Sequence, residues 1–240
     1  MLLVSSSTYI AAVLFLVVMG VVFTGILDSY SLGPQDASPA IAFFQLFWFP
    51  VLFMVPLLTM KCLAEERRLG TIETLFTAPV TTAEVVLGKF GAAYGLYMAM
   101  WGSTGGFFYL LKRFSNDSHL VDFGPMVGGY LFIAVSGMLF VALGVFASSL
   151  ARNQAVAGIL CFAMLFVLIV GGSYLPDAAW LSREAFHPVK TALDYARVFQ
   201  HYEDFTRGVV DSRQIIFYLS GTVLALIFSI LSVEAKLLHS

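Results

Sequence analysis

The chain has 240 residues, 59% hydrophobic and only 12% charged, with a mean hydropathy of +0.87. A soluble domain of this size carries about twice that share of charge, and 13 basic plus 15 acidic residues could not cover its surface. Composition argues against a soluble globular enzyme, a disordered chain or a secreted disulfide scaffold, and a formal net charge of −2 offers no basic surface for nucleic acid.

Charges fall in clusters, and the gaps between clusters read as membrane crossings. A helix needs about 20 mostly apolar residues to cross the hydrocarbon core. Six charge-free intervals reach that length, with 27, 24, 22, 29, 24 and 20 residues in chain order. Barrel strands would be about 10 residues long with period-two alternation, so helix is the predicted form. The fold class is therefore all-α: one polytopic domain over 1–240 with spans near 8–27, 40–61, 86–111, 125–149, 154–175 and 213–234.

The first span could be read as a signal peptide, but it lacks a basic leading region and its apolar stretch is long, which favours a retained helix. Ser38-Pro39 offers an N-cap followed by proline at the first position of the second helix. Thr81 with Glu84 has capping-box spacing before the third. Pro125 stands where the fourth begins, Asn153 can cap the fifth, and Asp211 with Gln214 can start the sixth. Tyr30, Trp48, Tyr174, Trp180 and Tyr218 lie near span ends, as in interfacial belts. Small residues recur in the third span (Gly88, Gly91, Ala92, Gly95, Gly102, Gly105, Gly106) and in the fourth (Gly128, Gly129, Gly137, Gly144). Four-residue spacing of small groups permits close helix approach, within one subunit or at a mobile subunit interface.

An even span count puts both ends on one side. The loops on that side hold Lys61, Arg67, Arg68, Lys89, Arg152 and Lys236; the opposite loops hold seven basic residues, so the positive-inside count decides nothing.

Two polar segments stand out. The first, 61–89, reads KCLAEERRLGTIETLFTAPVTTAEVVLGK. Gly70 can break the helix, Ile72, Leu75 and Phe76 share one face of a short amphipathic stretch, and Pro79 ends it. Such a stretch either rests on lipid headgroups or docks in a groove of a soluble partner. The second segment, 177–213, carries Tyr195, Val198, Phe199, Tyr202, Phe205 and Val209 at helical spacing. It reads as an amphipathic helix on the side of the membrane opposite the termini, a lid on lipid or a gate.

The run EERRLGTIETLFTAPVTTAEVVLGK resembles the cytoplasmic signature of ABC-2-type permeases. The matching positions are Glu66, Arg67, Gly70, Thr71, Glu73, Leu75, Pro79, Glu84, Gly88 and Lys89. Ala147 to Gln154 resembles the family's turn between spans four and five, and His201 to Ser220 resembles the approach to the last span in the gliding-motility-like branch. The resemblance implies a multi-pass permease of a bacterial inner membrane, with both termini and the 61–89 side cytoplasmic. It implies an exporter working as a homodimer, or with a related permease, in lipid beside a separate ABC ATP-binding subunit. The coupling helix would be Gly70 to Ala78, with Glu66, Arg67, Thr71, Ile72, Glu73, Leu75, Phe76 and Pro79 as coupling residues. Thr81, Glu84, Gly88 and Lys89 would guide re-entry into the membrane, and Tyr195, Phe199, Tyr202 and Phe205 would form the outer gate on an extracytoplasmic helix. Seven uncharged residues, Met1 to Ser7, stand where the family has a charged elbow helix, so that elbow is expected to be shortened, lost or missed by a late start codon.

Other chemistries find no support in the sequence. Gly88-Lys89 is followed by Phe90, and Ala83 replaces the earlier glycine of a Walker A loop. This chain is thus expected to be no enzyme and to bind no cofactor, with ATP and Mg on the partner ATPase. Cys62 and Cys161 lack metal-ligand neighbours, and His119, His187, His201 and His239 lie outside the spans, so no metal site is expected. Charge-free spans offer no proton relay of the kind an ion-coupled carrier uses. The alternative to a permease is a non-transporting membrane anchor or assembly protein that recruits a soluble partner through the 61–89 loop.

Overall fold

A computed structural model describes residues 6–33, 38–70, 80–114, 122–174 and 194–237. Every regular element among these residues is helical. In chain order they are α1 (Ser6–Ser31), α2 (Pro39–Gln45), α3 (Trp48–Thr59), α4 (Ala64–Arg68), α5 (Thr82–Ser103), α6 (Gly105–Phe114), α7 (Phe123–Leu150), α8 (Gln154–Tyr174), α9 (Val198–Thr206) and α10 (Ser212–Leu237).

Among the described residues, four helices are long and apolar enough to cross a membrane: α1, α7, α8 and α10. The α2–α3 pair makes a fifth if its 48° bend is taken as a broken span. The predicted third span falls on α5 and α6 and does not reach the same apolarity. Lys89, Tyr94, Tyr97 and several glycines dilute it, and the helix is interrupted at Thr104, whose hydroxyl donates to the Trp101 carbonyl at 2.6 Å. In the predicted fifth span, α8 carries a π-helical stretch at Val167–Gly171, a local widening that recurs at functional sites.

Helix starts follow local chemistry. Asn153 caps α8 by accepting from the Val156 N–H at 2.9 Å, as its side chain predicts. Asp122 caps α7 through the Gly124 N–H, one turn ahead of the expected Pro125. Asp211 accepts from the Arg213 N–H at 2.9 Å, but Gln214 does not complete the box and donates instead to Asp204 at 2.6 Å. Ser38 precedes Pro39 with extended backbone and makes no side-chain cap bond.

The core is built around α7, of whose span 72% is buried, against 22% for α1 and 28% for α8 and α10. Its glycines make this possible. Gly128 takes the backbone of Phe205 from α9, Gly129 takes the Phe44 ring from α2, Gly137 takes Tyr97 from α5, and Gly144 takes Thr59 from α3. On the α10 side the pattern reverses: Gly221 receives Leu139 of α7.

Candidate functional site

Residues 71–79, the centre of the predicted coupling segment, lie outside the described residues, so Thr71, Ile72, Glu73, Leu75, Phe76 and Pro79 are not placed. Both ends of that segment are described, and each is anchored.

At the leading end, α4 starts with two N–H groups that no helical carbonyl can satisfy. The hydroxyl of Ser148, at the far end of α7, accepts from Leu63 and Ala64 at 3.0 and 3.1 Å. α4 closes at Gly70, whose φ of +69° is the left-handed conformation that favours glycine just past a helix end. The break expected at Gly70 is therefore a helix stop.

At the trailing end, Thr81 and Glu84 form the predicted capping box. The Thr81 hydroxyl accepts from the Glu84 N–H at 3.3 Å, and the Glu84 carboxylate accepts from the Thr81 N–H at 2.8 Å. Those bonds hold the Glu84 carboxyl below the usual carboxylate range.

One contact brings the ends together, and a second ties the leading end to the turn after α7. Glu66 of α4 pairs with Lys89 of α5, both largely shielded from solvent. Arg67 donates Nη1 to the Ala151 carbonyl at 2.9 Å. Burial, and secondarily the nearby Arg152, push its guanidinium down, though an arginine stays charged.

The sequence did not point to the rest of this cluster. The last carbonyls of α7 lack intrahelical donors and carry the negative end of its dipole. Lys236 of α10 donates to Ser149 and Leu150, both at 3.0 Å, and Ser232 to Ser149 at 3.3 Å. Between Ser232 and Lys236 in sequence, Glu234 accepts from the Thr82 hydroxyl at 2.8 Å. Lys236 stands in the last turn of α10 but caps the end of α7. Gly88 faces open space and makes no close contact. Among the described residues, then, α4, α5, α7 and α10 are tied together where the 71–79 segment leaves and returns.

The second predicted site lies around α9. Tyr202 and Phe205 are buried, Phe199 is half-buried and Tyr195 is exposed. The ridge of α9 turns into its own chain: Phe205 and Tyr202 meet the Phe132 ring, Phe199 and Tyr202 meet Phe47, and the Tyr202 hydroxyl donates to the Ile41 carbonyl. His201 shares a 3.1 Å hydrogen bond with Tyr218, and burial pushes its imidazole down against the opposing pull of Asp204 and Asp211. A cavity of about 640 Å³ opens beside Phe199, Tyr202 and Glu203, walled by Trp48 next to the α2–α3 bend and by Val170 in the π-helical stretch. The described residues contain no group of three His, Cys, Asp or Glu that could hold a metal ion.

Long apolar helices, a helical core and polar clusters at both ends define an integral, multi-pass helical membrane protein. Residues 2–235 match the family described as ABC-2 family transporter protein, and the chain belongs to that family. It is thereby a membrane permease of an ABC transporter. No curated protein matches the chain.

Proposed function

We propose that the chain is the permease half of an ATP-driven exporter. It crosses a bacterial cytoplasmic membrane six times, with both termini and the 61–89 loop inside, and works as a homodimer or with a related permease. A separate ABC subunit binds ATP and Mg, and this chain is not itself an enzyme. Closure of that ATPase pair pushes the 70–78 segment, and the spans open a path between two permease copies. The likeness of His201 to Ser220 to the gliding-motility-like branch supports placing the chain there.

One observation carries the reading: both ends of the 71–79 segment are fastened to the membrane helices, through Ser148, Arg67 and the Glu66–Lys89 pair. A docking element on slack tethers would dissipate a push, whereas one fastened to α5 and α7 passes it on. Phe199 and Tyr202 of α9, beside the Trp48 cavity, suit an outer gate, of which Tyr195 and Phe205 would be the further parts.

The test is the ATPase rate of the co-purified complex in proteoliposomes. Glu73→Ala with Leu75→Ala should abolish the rise in ATPase rate on membrane insertion while assembly persists. An unchanged rise sinks the coupling reading and favours a recruiting anchor.

A further inference from the structure

Two apolar spans, α7 and α10, finish side by side at Leu150 and Lys236. Three cations gather on the last residues of α7 and the turn after it. Lys236 donates to the carbonyls of Ser149 and Leu150, Arg67 donates to that of Ala151, and Arg152 comes next in the chain. The charge of Arg152 is felt at both Arg67 and Lys236. A helix C-terminus carries roughly half a negative charge, which does not balance three cations. Among the described residues no carboxylate forms an ion pair with any of them: Glu66 is held by Lys89, and Glu234 accepts from Thr82.

Donors are left over at this spot. An ammonium has three N–H groups, and Lys236 uses two on the α7 carbonyls. Arg152 is exposed and forms no hydrogen bond among the described residues. Its planar fork of donors matches the oxygens of a phosphate.

The surface leading from these cations into the span is apolar. Phe146 of α7 and Phe228 of α10 meet with ring centroids 6.0 Å apart, one turn inside Leu150 and Ser232. Phe228, Leu231 and Leu150 are all exposed. A free anion would use the cations alone, whereas a phospholipid uses both parts. The ends of two spans also lie at headgroup depth, where basic groups between helices meet lipid phosphates.

We propose that Arg152 and Lys236, backed by the charge of Arg67, bind the phosphate of an anionic phospholipid whose acyl chain lies along Leu150, Phe228 and Leu231. The site rests on the membrane fold and on no reading of the 71–79 segment.

Native mass spectrometry of the full chain in detergent tests it, with dioleoyl phosphatidylglycerol against dioleoyl phosphatidylcholine. The two share acyl chains and a phosphate and differ in net charge. Saturable retention of phosphatidylglycerol is expected, about fivefold or more tighter than phosphatidylcholine. Arg152→Gln should weaken it by about fivefold without moving the melting temperature in lipid-free detergent. Lys236→Gln should weaken it similarly, and Arg213→Gln, at the other end of α10, should leave it unchanged. The proposal falls if the two lipids bind equally, or if folded Arg152→Gln binds like the parent. Displacement of the lipid by equimolar inorganic phosphate would make this a free-anion site and overturn it. Retention that begins only in Glu73→Gln would assign the cations to the chain's own carboxylate and overturn it too.

Discussion

Glycines occur throughout α7 and α5, and their surroundings differ completely. In α7 a Cβ at Gly128, Gly129, Gly137 or Gly144 would lie between 2.1 and 2.4 Å from an atom of another element. In α5 a Cβ at Gly88, Gly91, Gly95 or Gly102 would meet nothing within 4 Å. The α7 glycines let four elements approach one central helix, and the α5 glycines have no such use among the described residues. Spacing alone does not separate the two, because a glycine reads the same whether a backbone or open space lies opposite.

The comparison breaks most easily at Gly128. Its obstacle is the backbone of Phe205, at 2.1 Å, which cannot rotate away. Gly128→Ala should cost more than about 3 kcal/mol, at or beyond the usual range for overpacking, and largely abolish folded protein by size exclusion in detergent. Normal yield and melting temperature would mean that α9 does not seat on α7. Gly137→Ala should cost less, about 1–3 kcal/mol, because its obstacle is the Tyr97 ring. Tyr97→Leu in the same chain should recover part of that loss. A lack of coupling between the two changes would show that ring and glycine do not touch.

The next effect lies at the tied end of the molecule. Glu66 and Lys89 are 26% and 21% exposed at their side chains, between a surface pair and a buried one. Lys89→Met should destabilise the chain by about 1–2 kcal/mol, intermediate between those two cases. Glu66→Gln with Lys89→Met should cost less than the sum of the single changes. Strict additivity of the melting shifts would remove the pair as an anchor.

A smaller effect belongs to the opposite end. Burial lowers the His201 pKa in the folded chain, while Asp204 and Asp211 oppose the shift. Tyr218 bonds its ring, and Asp194 and Arg213 line one cavity with it. As pH falls below the ordinary histidine value of about 6.5, the unfolded chain takes up its proton first. The stability due to neutral His201 is therefore full above that value and declines as pH drops through the lower folded pKa. His201→Gln should flatten that decline in melting temperature between pH 7 and pH 5. An unchanged slope would assign it to other groups.

Legibility followed the range of the interaction. The all-helical fold, the Thr81–Glu84 box and the Asn153 cap rest on contacts within one turn, so residue types and spacing reveal them. Family membership was legible in the 66–89 run, which residues 2–235 bear out as a whole. The Ser148 bonds to α4 span 84 and 85 positions, and the Lys236 cap on α7 spans 86 and 87. No periodicity reports contacts that distant. Gln214 shows the same limit at short range: box spacing points it at Asp211, but α9 brings Asp204 within reach and takes the amide.

The gentlest change sharpens the comparison furthest. Glycine in a helix interior costs roughly 0.5–1 kcal/mol relative to alanine, so a glycine that nothing packs against weakens its helix without return. Gly88, Gly91, Gly95 and Gly102 are all exposed on α5. Each change to alanine should stabilise the isolated chain by about 0.4–1 kcal/mol, and well-separated changes should add. Melting curves in detergent would read this directly. A loss of stability in the isolated chain would show that α5 is packed within it after all. Gain in the isolated chain with loss in the assembled transporter would show that another surface comes to lie on α5 only on assembly. That sign reversal is the one outcome that gives the open glycines a purpose, and alanine, a single methyl larger, is small enough to report it without wrecking the helix.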